Sequence, residues 1–119
     1  MVAGDLASSS GNTGADVLST SRIILLMEHA ARNAIEGCLP LGKITVGTRI
    51  DMRHFAATPQ GMKVYAEAVL KSLEGSKLVF EIEVYDEYEK ISEGINERYV
   101  VSAEKFRRRV ERKIKMKNK

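Results

Sequence analysis

A chain of 119 residues, 44% hydrophobic and 29% charged, has room for one globular domain and not two, and at this size an oligomer interface is a useful addition to a single core. The formal charge of +3 is unevenly placed, because residues 102–119 hold nine Lys or Arg against Glu104 and Glu111 while residues 1–101 sum to −4; a mildly acidic body disfavours a nucleic-acid partner. The longest apolar run, Ile23–Met27, falls far short of the roughly 20 residues of a membrane-spanning helix, and one cysteine, Cys38, permits no internal disulfide, so the expectation is a cytoplasmic protein with no membrane part.

Residues 1–16 lack a basic start and an apolar stretch, and from Ala7 they are rich in Ser, Gly and Asn. They are expected to form a flexible or looped leader rather than a secretory signal. The domain is expected over 17–106, followed by a basic tail over 107–119. From Thr20 to Glu36 the apolar positions Ile23, Leu26, Met27, Ala30, Ala31, Ala34 and Ile35 recur at three and four, which predicts an amphipathic helix. Ser19 or Thr20 can cap it, and Gly37 followed by Pro40 stops it.

After the helix the period changes to two. Val46, Thr48, Ile50, Met52 and His54 alternate with Gly47, Arg49, Asp51 and Arg53, and a second strand alternates over Val64, Ala66, Ala68 and Leu70. Thr58-Pro59-Gln60-Gly61 supplies the intervening turn and Glu74-Gly75 the next, leading to a third strand through Leu78, Phe80, Ile82 and Val84. A fourth is expected from about Lys90 to Val101, with Gly94 marking a bulge or a close approach. One long helix followed by strands on short turns requires an antiparallel sheet, so the fold class is α+β, with a curved sheet wrapped around one helix.

Several side chains could carry chemistry. Glu28 lies among Met27, Ala30 and Ala31, where an ionised carboxylate is costly unless paired or active; the plainer alternative is a carboxylate at the stripe edge that reaches water. His54 ends its strand on the face of Ile50 and Met52, and an imidazole there can exchange protons near neutral pH. His29 points about 100° away from Glu28 around the helix, so the two are not a working pair. Two histidines and one cysteine at no ligand spacing argue against a metal site, and Cys38 is best explained as a small hydrophobe at a helix end. No G-x-S-x-G, P-loop or dinucleotide glycine pattern occurs.

Taken together, Val17-Leu18-Ser19-Thr20, Leu26-Met27-Glu28-His29-Ala30-Ala31, Val46-Gly47-Thr48, His54-Phe55-Ala56-Ala57-Thr58-Pro59 and Gly94-Ile95-Asn96-Glu97-Arg98 resemble the fluoroacetyl-CoA thioesterase-like family, from about Val17 to Phe106. The resemblance implies a hotdog fold with a sheet of about five strands, a homodimer with sites at the subunit interface and further association left open, and an acyl-CoA thioesterase that needs no cofactor, coenzyme A being part of the substrate. It places catalytic roles on Thr20, Glu28 and His54, and substrate contacts on Gly47, Arg98 and Asn96. Asn96 departs from the family's usual histidine and Ser21 from its proline. Glu28 can serve as nucleophile or as general base. Eight helical residues rise about 12 Å, so Thr20 and Glu28 reach one substrate atom only if Thr20 folds back or a partner subunit contributes. Cations such as Arg49, Arg53 or those of the tail would help to hold CoA. A binder of acyl-CoA that has lost turnover is the alternative reading.

Overall fold

The computed structural model describes residues 17–118, so the expected leader over 1–16 lies outside the described residues. The element order is α1 (Thr20–Ala34), β1 (Lys43–His54), β2 (Tyr65–Glu74), β3 (Lys77–Tyr85), β4 (Lys90–Ser102) and α2 (Ala103–Lys117). The strands form one antiparallel sheet in the order β1-β4-β3-β2. The class is α+β, as the periodicity requires, and among the described residues the sheet has four strands rather than about five.

α1 begins at Ser19, whose hydroxyl accepts from the Arg22 N–H at 3.3 Å, satisfying one of the four free N–H groups of a first turn. It ends at Ala34, one turn before Gly37: the N–H of the C-cap residue Ile35 turns back to Arg32 O and that of Glu36 to Asn33 O, and Gly37 takes φ 81°, a conformation that favours glycine. Ile23, Met27 and Ala31, spaced by four, have no exposed surface. They meet Leu78, Phe80, Ile82 and Val84 of β3 and Ile91 of β4 in the core, which Leu18 and Ile35 close at its margins. Burying a side chain such as Ile23 or Phe80 stabilises by about 1.5–3 kcal/mol.

The β2–β3 hairpin turns on Gly75 and Ser76, with Glu74 opposite Lys77; Gly75, the first central residue, has φ 61° while no non-glycine residue among those described has positive φ, the arrangement of a type II′ turn. Gly94 marks a close approach rather than a bulge, since a Cβ there would lie 2.5 Å from Asp51 O and 2.6 Å from Met52 Cβ. Register shifts fall instead in β2 between Leu70 and Ser72, in the pairing of β3 with β4 between Val84 and Tyr85, and, next to the site, as a bulge in β1 between Gly47 and Arg49. An extra residue shifts the side-chain alternation by one. Gly47 therefore faces α1 together with the later Ile50 and Met52, whereas Val46 and Thr48 line a groove on the opposite face with Tyr99 and Val101. Strict alternation had put Val46, Thr48 and Ile50 on one face.

The run where a basic tail is expected is helical through Lys117. Ser102 caps α2 by accepting from the Lys105 N–H at 3.3 Å, the Ala103 N–H donates to Gly42 O at 2.9 Å, and the helix buries none of its residues. No helix of the described residues is long and apolar enough to cross a membrane.

Candidate active site

Backbone pairing at one end of the molecule brings Thr20 to His54. The Leu18 N–H donates to Thr58 O at 3.0 Å, Val17 bridges to Pro59, and the Phe55 N–H donates to Ile91 O at 3.0 Å. The segment before α1 is thus fastened to the loop that follows β1, and Thr20 Oγ1 stands 2.9 Å from His54 Nδ1. Either can donate, depending on the imidazole tautomer. His54 Nε2 is buried and has no hydrogen-bond partner among the described residues, so it is a polar atom whose partner those residues do not supply.

The loop is pinned by a residue that sequence reasoning missed. Asp86, in the β3–β4 turn and 6% exposed, accepts the Thr58 hydroxyl at 2.9 Å and the N–H groups of Tyr88 and Glu89 at 2.7 and 2.8 Å. Burial alone would raise its pKa, but the two backbone bonds and the hydroxyl outweigh it and hold the carboxyl below its usual range. The signal was present in the sequence as an aspartate two and three residues before the amides it caps.

The second group of residues gathers further along α1. Glu28, one third exposed, places Oε2 3.6 Å from Nη1 of Arg98, which is almost wholly buried. Arg98 also donates from Nε to Thr45 Oγ1 at 3.1 Å, from Nη2 to Thr45 O at 3.2 Å and from Nη1 to Asn96 Oδ1 at 3.3 Å. Asn96, fully buried, donates onward to Arg49 O at 2.9 Å, beside the β1 bulge. The Arg98 pKa is lowered, by burial first and then by the charge of Arg32, against the opposing pull of Glu28. Gly47 completes the group: a Cβ there would lie 2.9 Å from Glu28 Oε2 and 3.0 Å from Arg98 Nη1, so a side chain at this position would separate the ion pair.

All six residues singled out from the sequence therefore fall into two sets, Thr20 with His54, and Glu28 with Gly47, Asn96 and Arg98. No hydrogen bond or ion pair of the described residues joins the sets. Thr45, missed in the sequence because the bulge shifts its face, belongs to the second set. Cys38 is exposed, and no cluster of three or more His, Cys, Asp or Glu among the described residues could hold a metal.

Known proteins are similar to this chain in sequence and in fold. The model of the fluoroacetyl-CoA-specific thioesterase family matches residues 2–104. The fluoroacetyl-CoA thioesterase of Streptantibioticus cattleyicolor is 37% identical over 98 residues, 82% of this chain and 70% of that protein. A crystal structure of a mutant of the fluoroacetyl-CoA-specific thioesterase FlK in complex with fluoroacetate and CoA superposes with a TM-score of 0.80 at 31% identity, covering 87% of this chain and 88% of that one. A hot-dog-like protein from Thermanaerovibrio acidaminovorans shares the fold, at a TM-score of 0.87 and 23% identity over 95% of this chain and 84% of its own. With most of its length matched by the family model, and a relative 37% identical over 82% of it, the chain belongs to the fluoroacetyl-CoA-specific thioesterase family of hotdog proteins.

Proposed function

We propose that the protein hydrolyses a small acyl-CoA to the free acid and CoA, as a homodimer in which Thr20 and His54 of one copy face Glu28 and Arg98 of the other. The observation that carries this reading is the division of the site: a hydroxyl–imidazole pair with an unsatisfied Nε2 at the start of α1, and an arginine-held carboxylate two turns on. About 12 Å of helix rise separates them within one chain, and a two-fold axis closes that gap by placing unlike sets opposite each other. β1 is a twelve-residue edge strand that pairs with β4 on one side, the kind of edge that a second copy covers.

The chemistry needs a nucleophile, a proton donor and a seat for the oxyanion. Acting as a general base, Glu28 takes a proton from water as the water oxygen bonds to the acyl carbon. The carbon–sulfur bond then breaks, and protonated His54 supplies the proton that the leaving thiolate needs. Acting as nucleophile, Glu28 instead forms an acyl anhydride, which water opens in a second step. Both routes consume one water and release acid and thiol. Thr20 orients the imidazole, and Arg98 with Gly47 fixes the carboxylate. Choice of acyl group follows from pocket shape, and no fluoroacetyl preference is included in the proposal.

The test is release of free thiol from acetyl-, medium-chain and arylacetyl-CoA by the wild type, Glu28→Gln and His54→Ala. A wild-type rate that both variants lose by orders of magnitude supports the reading. Near-normal turnover by Glu28→Gln overturns the site assignment, and tight acyl-CoA binding with no turnover across the panel replaces hydrolysis by binding alone.

A further inference from the structure

Positive charge on α2 is not uniformly free. Arg108 is paired with Glu104 and Arg107 with Glu111, whereas Lys105 and Arg109, like the later Arg112, Lys113, Lys115 and Lys117, have no ion-pair partner among the described residues, and neither has Lys43 at the start of β1. Of these unpaired cations, Lys43, Lys105 and Arg109 converge on one cleft of about 330 Å³, which Ser102 and Phe106 also line. Phe106 is 42% exposed. Unpaired cations beside an open aromatic face are the complement of a phosphorylated nucleotide, with charge for the phosphates and a ring on which a base can stack.

The cleft connects to the reacting centre through Lys43. That residue also lines a groove of about 590 Å³ between the end of α1 and the start of β1, which reaches Thr45 and carries Arg32 and Glu36 on its helix side. Thr45 is the residue that accepts two of the Arg98 hydrogen bonds. From Gly47, under the Glu28 carboxylate, back to Lys43 is four strand residues, about 13 Å, a span that an extended pantetheine arm covers. Most of α2, with Lys105 and Arg109, lies beyond residue 104, where the family match ends.

We propose that the phosphates of coenzyme A are held by Lys43, Lys105 and Arg109 in this cleft, with the adenine on Phe106 and the pantetheine arm laid along the groove towards Thr45. The inference rests on the thioesterase reading for its ligand and adds the half of the substrate that hydrolysis itself does not touch. The three residues are exposed to solvent, and holding phosphate with exposed cations is a salt-sensitive interaction.

The experiment compares full-length wild type with Lys105→Glu/Arg109→Glu and with the charge-preserving Lys105→Arg/Arg109→Lys. Calorimetry measures binding of CoA and of pantetheine, and kinetics measure kcat/KM for the CoA and pantetheine thioesters of one acyl group. The expected result is a wild-type preference for the CoA form that falls by roughly tenfold or more in the charge-reversed protein, the loss of one or two phosphate contacts, that survives in the charge-preserving one, and that weakens with salt. Equal wild-type affinity for CoA and pantetheine overturns the proposal, as does equal weakening of both ligands, or loss of binding to a DNA duplex with CoA unaffected. If no thioester is turned over, the hydrolase reading fails while calorimetry still decides the cleft: CoA binding lost on charge reversal supports it, and CoA binding unchanged sinks it.

Discussion

Glu28 Oε2 lies 3.6 Å from Arg98 Nη1 because the residue beneath them, Gly47, has no side chain. A carboxylate on a helix and a guanidinium on a strand meet there at a half-buried position where neither could stand alone at low cost. The carboxylate is thereby presented from a fixed direction, which is what a reaction limited by geometry requires.

Gly47→Ala tests that relationship. Its Cβ would fall 2.9 Å from Glu28 Oε2 and 3.0 Å from Arg98 Nη1, and the atoms that must move are side-chain ends rather than backbone. The fold should survive with a small change in Tm, while kcat falls by roughly tenfold to a hundredfold from a misplaced carboxylate. Thermal melting beside steady-state thiol release separates the two effects, and a Gly47→Ala enzyme with wild-type kcat would show that the close approach has no catalytic role.

A shared site predicts complementation. Glu28→Gln and His54→Ala, each inactive alone, should recover activity when mixed and allowed to exchange subunits, because each mixed dimer contains one site with both intact groups and one with neither. Random exchange makes half of the dimers mixed, so the recovered rate should approach about a quarter of wild type. If mixing restores nothing after exchange is verified, both groups act within one chain.

Asp86 predicts an acid limit on stability. Its folded pKa is lowered, so the unfolded chain takes up the proton more readily. The stabilisation is therefore fully present above the unfolded carboxylate value of about 3.9 and is lost as pH falls through the lower folded value. Asp86→Ala should reduce Tm by roughly 5–15 °C at pH 7, as expected for losing three hydrogen bonds to a charged group, part of whose worth water restores to the freed donors, and the gap should narrow towards pH 3. The loop that carries Thr58 should loosen with it, which would appear as lower activity at temperatures well below the melt. A gap that stays constant from pH 7 to pH 3 would separate the Asp86 charge from stability.

The periodic elements were legible because hydrophobic spacing is a local property. Ile23, Met27 and Ala31 mark the inner face of α1, and Leu78, Phe80, Ile82 and Val84 that of β3, and all seven are buried. The Ser19 cap and the Gly75 turn were equally legible, since a cap and a positive φ are satisfied by nearest neighbours. The bulge after Gly47 was not, because a register shift is set by the pairing strand. The basic run after Ser102 forms a helix that packs on little, its apolar positions Phe106, Val110 and Ile114 being 42%, 44% and 55% exposed.

The candidate site divides along the same line. By itself the sequence determined the residue types, the helix that carries Glu28, the strand that ends at His54, and the motifs in which the chain resembles its family. Only the tertiary structure decided that Thr20 meets His54, that Arg98 is the partner of Glu28, and that Asp86 pins the loop between them. The physical reason is that helix and strand periods follow from each residue and its near neighbours, whereas a hydrogen bond between distant segments depends on the sheet order β1-β4-β3-β2, on one bulge, and on the packing of a helix that crosses all four strands.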